Sequence, residues 1–217
     1  MSDKTSNYKC VIFDCDGVLV DSEPIGNKVM VEMANALGAN IDLDYAYLHF
    51  KGNSLYKCMQ HIRNIIEKEL PADFESEYRR ISFQRFKKEI QPVEGVVDLV
   101  QSLNVPFCVA SSGPENKIRL NLELTGLLPY FENKIFSCYA IEKWKPDPEI
   151  FIWASKMMGF HSSECVVIED SIHGVEAAIN GGFDVFAFTA NDLNDELQEK
   201  ATKTFDSMLN LKEMLKV

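Results

Sequence analysis

Apolar residues along the chain gather in short unbroken runs rather than in strict alternation. Runs of strand length fall at 9–13, 106–110, 134–137, 165–168 and 184–188. Near-continuous runs of this kind are expected of strands covered on both faces of a parallel sheet. Helical patterns at 95–103, 115–124, 148–158 and 172–180 lie between them. Strand and helix thus alternate from about residue 92 onward, which predicts a doubly wound, Rossmann-like α/β domain with a parallel sheet. Ligands of such sheets bind beyond the carboxyl ends of the strands.

The stretch after the first strand breaks this rhythm. It holds no strand pattern but three amphipathic ones. Ile25, Val29, Met33 and Leu37 form one apolar face that stops at Gly38, Leu55, Met59, Ile62 and Ile66 a second, and Phe74, Tyr78, Ile81 and Phe86 a third. The predicted organisation is an α/β core made of 1–18 and 92–217, with an α-helical unit inserted at 19–91.

Composition narrows the class of ligand. A chain of 217 residues, 46% apolar, buries roughly 70% of the surface its unfolded form exposes, enough for one sizeable core with a smaller unit attached. Twenty-two Lys plus Arg against 33 Asp plus Glu leave a net charge of −11, which repels nucleic acid and anionic membranes. An anionic ligand must therefore be held by a local device: a few placed lysines, a helix N-terminus or a bound cation. The polar start of the chain, whose first apolar run is stopped at Asp14, does not read as a secretory signal, and no stretch approaches the roughly 20 apolar residues of a membrane span. A cytoplasmic protein binding neither nucleic acid nor membrane is expected. Six scattered cysteines form no CxxC pair and read as free thiols, three of them small core residues inside apolar runs.

Candidate chemistry falls at the strand ends. The first strand runs into Asp14-Cys15-Asp16-Gly17, and residues two apart on an extended chain point the same way, so two carboxylates are presented together. Such a pair suits nucleophilic and acid–base work, or a cation; Asp-x-Asp-Gly is equally a common turn after a strand. The second strand ends in Ser111-Ser112-Gly113-Pro114 before a helix, which offers a hydroxyl and backbone N–H groups to a phosphate, although serine and proline are also ordinary helix-start residues. After the third comes Lys143-Trp144-Lys145-Pro146-Asp147-Pro148, a lysine whose backbone is fixed by the prolines that follow it, or a solvated loop charge. The fourth ends in Glu169-Asp170, an oxygen-only pair of the kind Mg²⁺ takes.

Each strand end in turn supplies a matching part, and in that order the set resembles the haloacid dehalogenase (HAD) superfamily, in the branch with a helical cap after the first motif. The run from Phe13 to Glu23 is similar to sugar-phosphate phosphatases and β-phosphoglucomutases. Phe50-Lys51-Gly52, Ser112-Gly113-Pro114 with Asn116-Lys117, and Trp144-Lys145-Pro146-Asp147-Pro148 are closer to bacterial 6-phosphogluconate phosphatases. The resemblance implies a Mg²⁺-dependent phosphatase acting on a small phosphorylated metabolite such as a sugar phosphate or sugar-acid phosphate, and a monomer, as such family members often are. It implies that Asp14 is the nucleophile, forming an aspartyl-phosphate, and that Asp16 is the acid–base. Mg²⁺ would be held by Asp14, the Asp16 carbonyl and Asp170, with Glu169 in the outer shell. Ser111, the Ser112 N–H and Lys145 would hold the phosphoryl group, and cap residue Lys51, with Lys117 as a weaker candidate, would contact the substrate.

Other readings of the same frame make different demands. A dehalogenase would not be expected to carry an acid at Asp16. A phosphonatase would need a cap lysine, for which Lys28, Lys51 and Lys57 are available. In a mutase a hinge histidine follows the first aspartate by twelve positions, where this chain has Gly26. A non-catalytic binding protein on the same fold is the alternative from another class, since folds do not fix function. His49, His61, His161 and His173 match no metal spacing.

Overall fold

A computed structural model describes residues 8–190, 192 and 196–215 of the chain. The chain runs through β1 (Cys10–Phe13), then helices α1 (Glu23–Ala36), α2 (Leu43–Phe50), α3 (Leu55–Ile66) and α4 (Phe74–Glu89), and returns to α5 (Val96–Ser102) and β2 (Phe107–Ser111). It continues with α6 (Glu115–Leu124), α7 (Leu128–Phe131), β3 (Ile135–Ser137), α8 (Cys138–Ile141), α9 (Glu149–Met158), β4 (Cys165–Glu169) and α10 (Ile172–Asn180). β5 (Asp184–Phe188), α11 (Glu196–Lys200), β6 (Lys203–Phe205) and α12 (Met208–Leu215) complete it.

The six strands form one parallel sheet in the order β3-β2-β1-β4-β5-β6. Alternate residues of each central strand enter different cores, which is why the strands read as unbroken apolar runs. Val11, Phe13, Val166, Ile168 and Phe186 face one layer of helices, and Ile12, Val167, Val185 and Ala187 face the other. On the first face Phe13, Phe107 and Phe131 meet edge to face, with centroids 5.2 to 6.3 Å apart. Such pairs add about 0.5–1.5 kcal/mol each beyond area burial. All six cysteines are buried free thiols.

β1 lies between β2 and β4, so the connections leave it in opposite directions and a crevice opens at its carboxyl end. The helical unit α1–α4 stands over that crevice. It has an apolar cluster of its own, including Met30, Ala34, Phe50, Ile62 and Phe74. The chain leaves the sheet and returns to it side by side: Asp21 N donates to Gln91 O (3.0 Å) and Val93 N to Leu19 O (3.1 Å). Ile25, Phe86 and Ile90, at the two ends of this excursion, pack into the core of the sheet domain rather than into the helical cluster.

Two elements differ from the sequence reading. The helical unit has four helices, not three, because α2 is capped locally, Asp42 accepting from Tyr45 N (2.8 Å), while its eight residues are too few for a clear apolar stripe. β6 is an edge strand of which only Phe205 is buried, so it makes no apolar run. Among the described residues no helix is long and apolar enough to cross a membrane.

Phe131→Ala is expected to lower unfolding stability by about 3–5 kcal/mol, because it empties the junction of three rings where no neighbour can collapse inward; urea denaturation followed by circular dichroism measures it.

Candidate active site

The carboxyl ends of β1, β2 and β4 converge on one buried cation. Lys145 Nζ donates to Asp14 Oδ1 and Glu169 Oε1, both at 2.6 Å, and to Ala110 O at 3.2 Å. An ammonium has three hydrogens, so this set saturates it. Its Nζ also lies over the face of Phe151, 4.9 Å from the ring centre. The two carboxylates, acting against the cost of burial, hold the Lys145 ammonium well above its ordinary range. The Lys145–Pro146 peptide is cis.

Each acid has a distinct setting. Burial pushes the Asp14 carboxyl well above the carboxylate range, although Lys145 opposes it. Asp16 is half-buried, but Lys117 Nζ bonds both of its oxygens at 2.8 Å and Ser22 Oγ donates to Oδ1, so Asp16 is held below its ordinary value. Ser22 precedes α1 and spends its hydroxyl on Asp16 rather than on capping the helix. Burial raises Asp170 to about 6, opposed by Lys51 Nζ at 3.1 Å, and raises Glu23 to about 8. Glu169 is fully buried and bonded throughout. Oε1 takes Lys145, while Oε2 accepts from Asp170 N, Ser171 N and Ser171 Oγ at 2.9 to 3.0 Å.

Two glycines permit this crowding. Gly17 has φ +80°, and a Cβ there would run into the Asp170 carboxylate; a Cβ on Gly174, in the first turn of α10, would overlap Glu169.

Asp14, Asp16, Ser111, Ser112, Lys117, Lys145, Glu169 and Asp170, all singled out from sequence, line a single cavity between the sheet and the helical unit. Their placement refines several expectations. Lys117 is not a solvated helix-face charge but the partner of Asp16, and Lys51, from the turn after α2, is the partner of Asp170. Lys145 has no uncommitted N–H for an anion, so what it offers one is charge. Ser111 Oγ accepts from Gly113 N at 3.1 Å, shaping the turn before α6. Lys28 and Lys57 are exposed, and Lys51, raised by Asp170 and Glu23 against the cost of burial, is a poor Schiff-base amine. His49 and His61 stack on each other in the helical unit with centroids 5.1 Å apart.

The sequence reading passed over Glu23 and Asn27 on α1 and Arg79 and Ser82 on α4, which line the same cavity. Tyr78, a member of the apolar stripe of α4, lines it too. A Cβ on Gly26 would lie 3.1 Å from its hydroxyl. The usable signal was that polar residues share helix faces with apolar ones at i, i+4 spacing.

Five carboxylates (Asp14, Asp16, Glu23, Glu169 and Asp170) meet three lysines here, leaving two negative charges over when all ionise. Mutual repulsion among the acids adds to the burial that pushes three of them upward. Asp14, Glu169 and Asp170 present oxygens within 4.8 Å of one another. An all-oxygen, anionic, buried set fits a small hard divalent cation, and the charge excess matches it. Asp14, which meets Lys145 through Oδ1, and Asp170 suit direct contact; Glu169, with both oxygens committed, suits support.

With this geometry in hand, comparison with known proteins is specific. The family described as haloacid dehalogenase-like hydrolase matches residues 8–182. A 6-phosphogluconate phosphatase of Escherichia coli (strain K12) is 33% identical over 216 residues, covering 97% of this chain and 96% of the relative. A phosphorylated carbohydrates phosphatase of Thermotoga maritima is 28% identical over 203 residues, covering 86% and 88%. Among solved structures, a conserved haloacid dehalogenase-like protein of unknown function from Agrobacterium tumefaciens superimposes with a TM-score of 0.86 at 27% identity, covering 96% and 98%.

Gly174→Ala is expected to displace the Glu169 carboxylate and, through it, Lys145. The expected cost is about 1–3 kcal/mol of stability, as for an overpacked core site; Gly174 is helical, so its loss reads collision alone, and thermal unfolding beside the exposed control Gly126→Ala, which meets nothing within 4 Å but has φ +74°, shows what backbone strain without collision costs.

Proposed function

The chain belongs to the haloacid dehalogenase-like hydrolases and is a phosphoric monoester hydrolase, and on that footing we propose that it removes phosphate from a sugar-acid phosphate such as 6-phosphogluconate through an aspartyl-phosphate on Asp14. The observation that carries this reading is the contact of Asp14 with Lys145 at the floor of a roofed cavity, with a second acid two residues on held by a different lysine. The named activity of the E. coli relative supports the substrate class.

Asp14 attacks phosphorus as the ester oxygen departs, and the departing alkoxide takes a proton from Asp16. Water then attacks the acyl phosphate, returns a proton to Asp16 and frees Asp14 and inorganic phosphate. Division of the reaction into two steps, each with an in-place nucleophile, lowers the barrier relative to direct attack. Asp16, bonded through both oxygens to Lys117, rests ionised, the form that accepts the proton of the second step. For the first step Asp16 takes up a proton from solvent as Lys117 yields at least one of those bonds, passes it to the alkoxide, and after the second step returns the proton gained from water to solvent. Lys145 keeps a cation beside the nucleophile, so a dianionic phosphate can approach a buried carboxylate. Ser111 and Ser112 shape the phosphoryl seat at the start of α6. Asp14, Asp170 and the Asp16 carbonyl would hold Mg²⁺, which when bound offsets charge on the phosphoryl oxygens. The helical unit excludes water and contacts the leaving group.

Tyr78 occupies the space beside Gly26, where a mutase would carry its hinge histidine, which supports hydrolysis over transfer. With Mg²⁺ and 6-phosphogluconate, wild-type protein is expected to release free phosphate; isomer exchange without release would overturn this reading in favour of a mutase. Asp14→Asn is expected to reduce release by about three orders of magnitude or more, and chelation of divalent metal to abolish it reversibly, both followed with a colorimetric phosphate assay. Activity surviving both changes would refute the site.

A further inference from the structure

We infer that Arg79 of α4 reads a negative group on the part of the substrate remote from the phosphate, and so selects an acid-terminated leaving group over a neutral one; the inference rests on the phosphatase reading above. Among the described residues four cations stand around the cavity, and three are committed to carboxylates of the reaction centre: Lys145 to buried Asp14 and Glu169, Lys117 to half-buried Asp16, Lys51 to buried Asp170. Drawing any of them to a ligand strips a desolvated acid of its counterion, which is unfavourable.

Arg79 is different in kind. Its carboxylate partner is Glu75, one turn earlier on the same helix, with half of that side chain exposed; Arg79 Nε and Nη2 both reach Glu75 Oε1, at 3.0 and 2.7 Å. A solvent-edge i, i+4 pair of this type is weak. It nevertheless orients the guanidinium, whose Nη2 also donates to Tyr139 Oη (2.8 Å) on the wall beyond β3. Tyr139 in turn packs edge-on to Trp144, beside Lys145, with centroids 5.3 Å apart. Arg79 therefore lines the cavity from a fixed position, on a rigid helix, with its Nη1 engaged by no hydrogen bond among the described residues. A guanidinium fork so held matches a carboxylate, and exchange of an exposed Glu75 for a ligand carboxylate leaves no buried charge behind. Asn27 Nδ2, buried in the same cavity and without a hydrogen-bond partner among the described residues, is a donor for a hydroxyl on the chain between the two ends.

The chemistry that fits is a polyhydroxy acid phosphorylated at one end and carboxylated at the other. The test uses two substrates that differ at one carbon: 6-phosphogluconate and glucitol 6-phosphate, carboxylate against hydroxymethyl. kcat/KM is measured for both with wild type, Arg79→Met and Arg79→Lys. The ratio of acid to polyol kcat/KM is expected to fall by about 10- to 100-fold in Arg79→Met, the loss of a charge-assisted contact, and to recover in part in Arg79→Lys. If Arg79 merely latches the helical unit to Tyr139, both substrates decline together and the ratio stays put, which overturns the proposal while leaving the phosphatase reading intact. Wild type that releases phosphate from neither substrate overturns the reading and the proposal together.

Discussion

One buried ammonium ties the carboxyl ends of three neighbouring strands. Lys145 reaches Asp14 after β1, Ala110 in β2 and Glu169 at the end of β4. Removing an ammonium and two carboxylates from water costs several kcal/mol per ion, and only near-complete hydrogen bonding offsets that. Here the offset is close to total: three N–H groups find three acceptors, and Glu169 Oε2 has three donors of its own, two of them backbone N–H groups at the start of α10. The Asp14 carboxylate is therefore placed by the same contacts that hold the sheet opening together, so its position is a property of the fold.

Charge balance organises the rest. The three lysines arrive from separate parts of the chain, Lys145 from the loop before α9, Lys117 from α6 and Lys51 from the helical unit, and each takes a different acid. This distribution keeps Asp14 and Asp16, two residues apart, in opposite electrostatic settings, one pushed up by burial and the other held down by Lys117. It also gives the helical unit a polar handle on the sheet domain, because Lys51 closes onto Asp170 and Gly52 lies so near Ser171 that a Cβ would approach its side chain to 2.8 Å. Two negative charges remain over, an invitation to a divalent cation that a lysine-rich site would not extend.

Much of the fold was legible along the chain for a simple reason. The central strands are buried on both faces, so five of the six are continuous apolar runs, and helices flanking a sheet carry an apolar stripe. β6 escaped notice because an edge strand with two exposed residues has no such signature, and α2 because its stability comes from a cap and from packing of Ala46 and Phe50 rather than from periodicity. The acids and serines that line the cavity were also legible, since parallel topology delivers strand ends to one crevice and these residues close or directly follow strands, whereas Lys145 reaches it from a loop eight residues past β3.

The partners of those residues were another matter. The sequence by itself determined which strand ends carry acids, hydroxyls and a lysine, because that follows from local order and the two-residue period of a strand. Only the tertiary structure decided that Lys117 belongs to Asp16 and Lys51 to Asp170, pairs separated by 101 and 119 positions, and that Glu23, Tyr78 and Arg79 face the cavity. A solvated lysine and a site lysine share the same local pattern. What separates them is the acid that folding brings alongside, and that depends on how helices distant in sequence pack over the sheet.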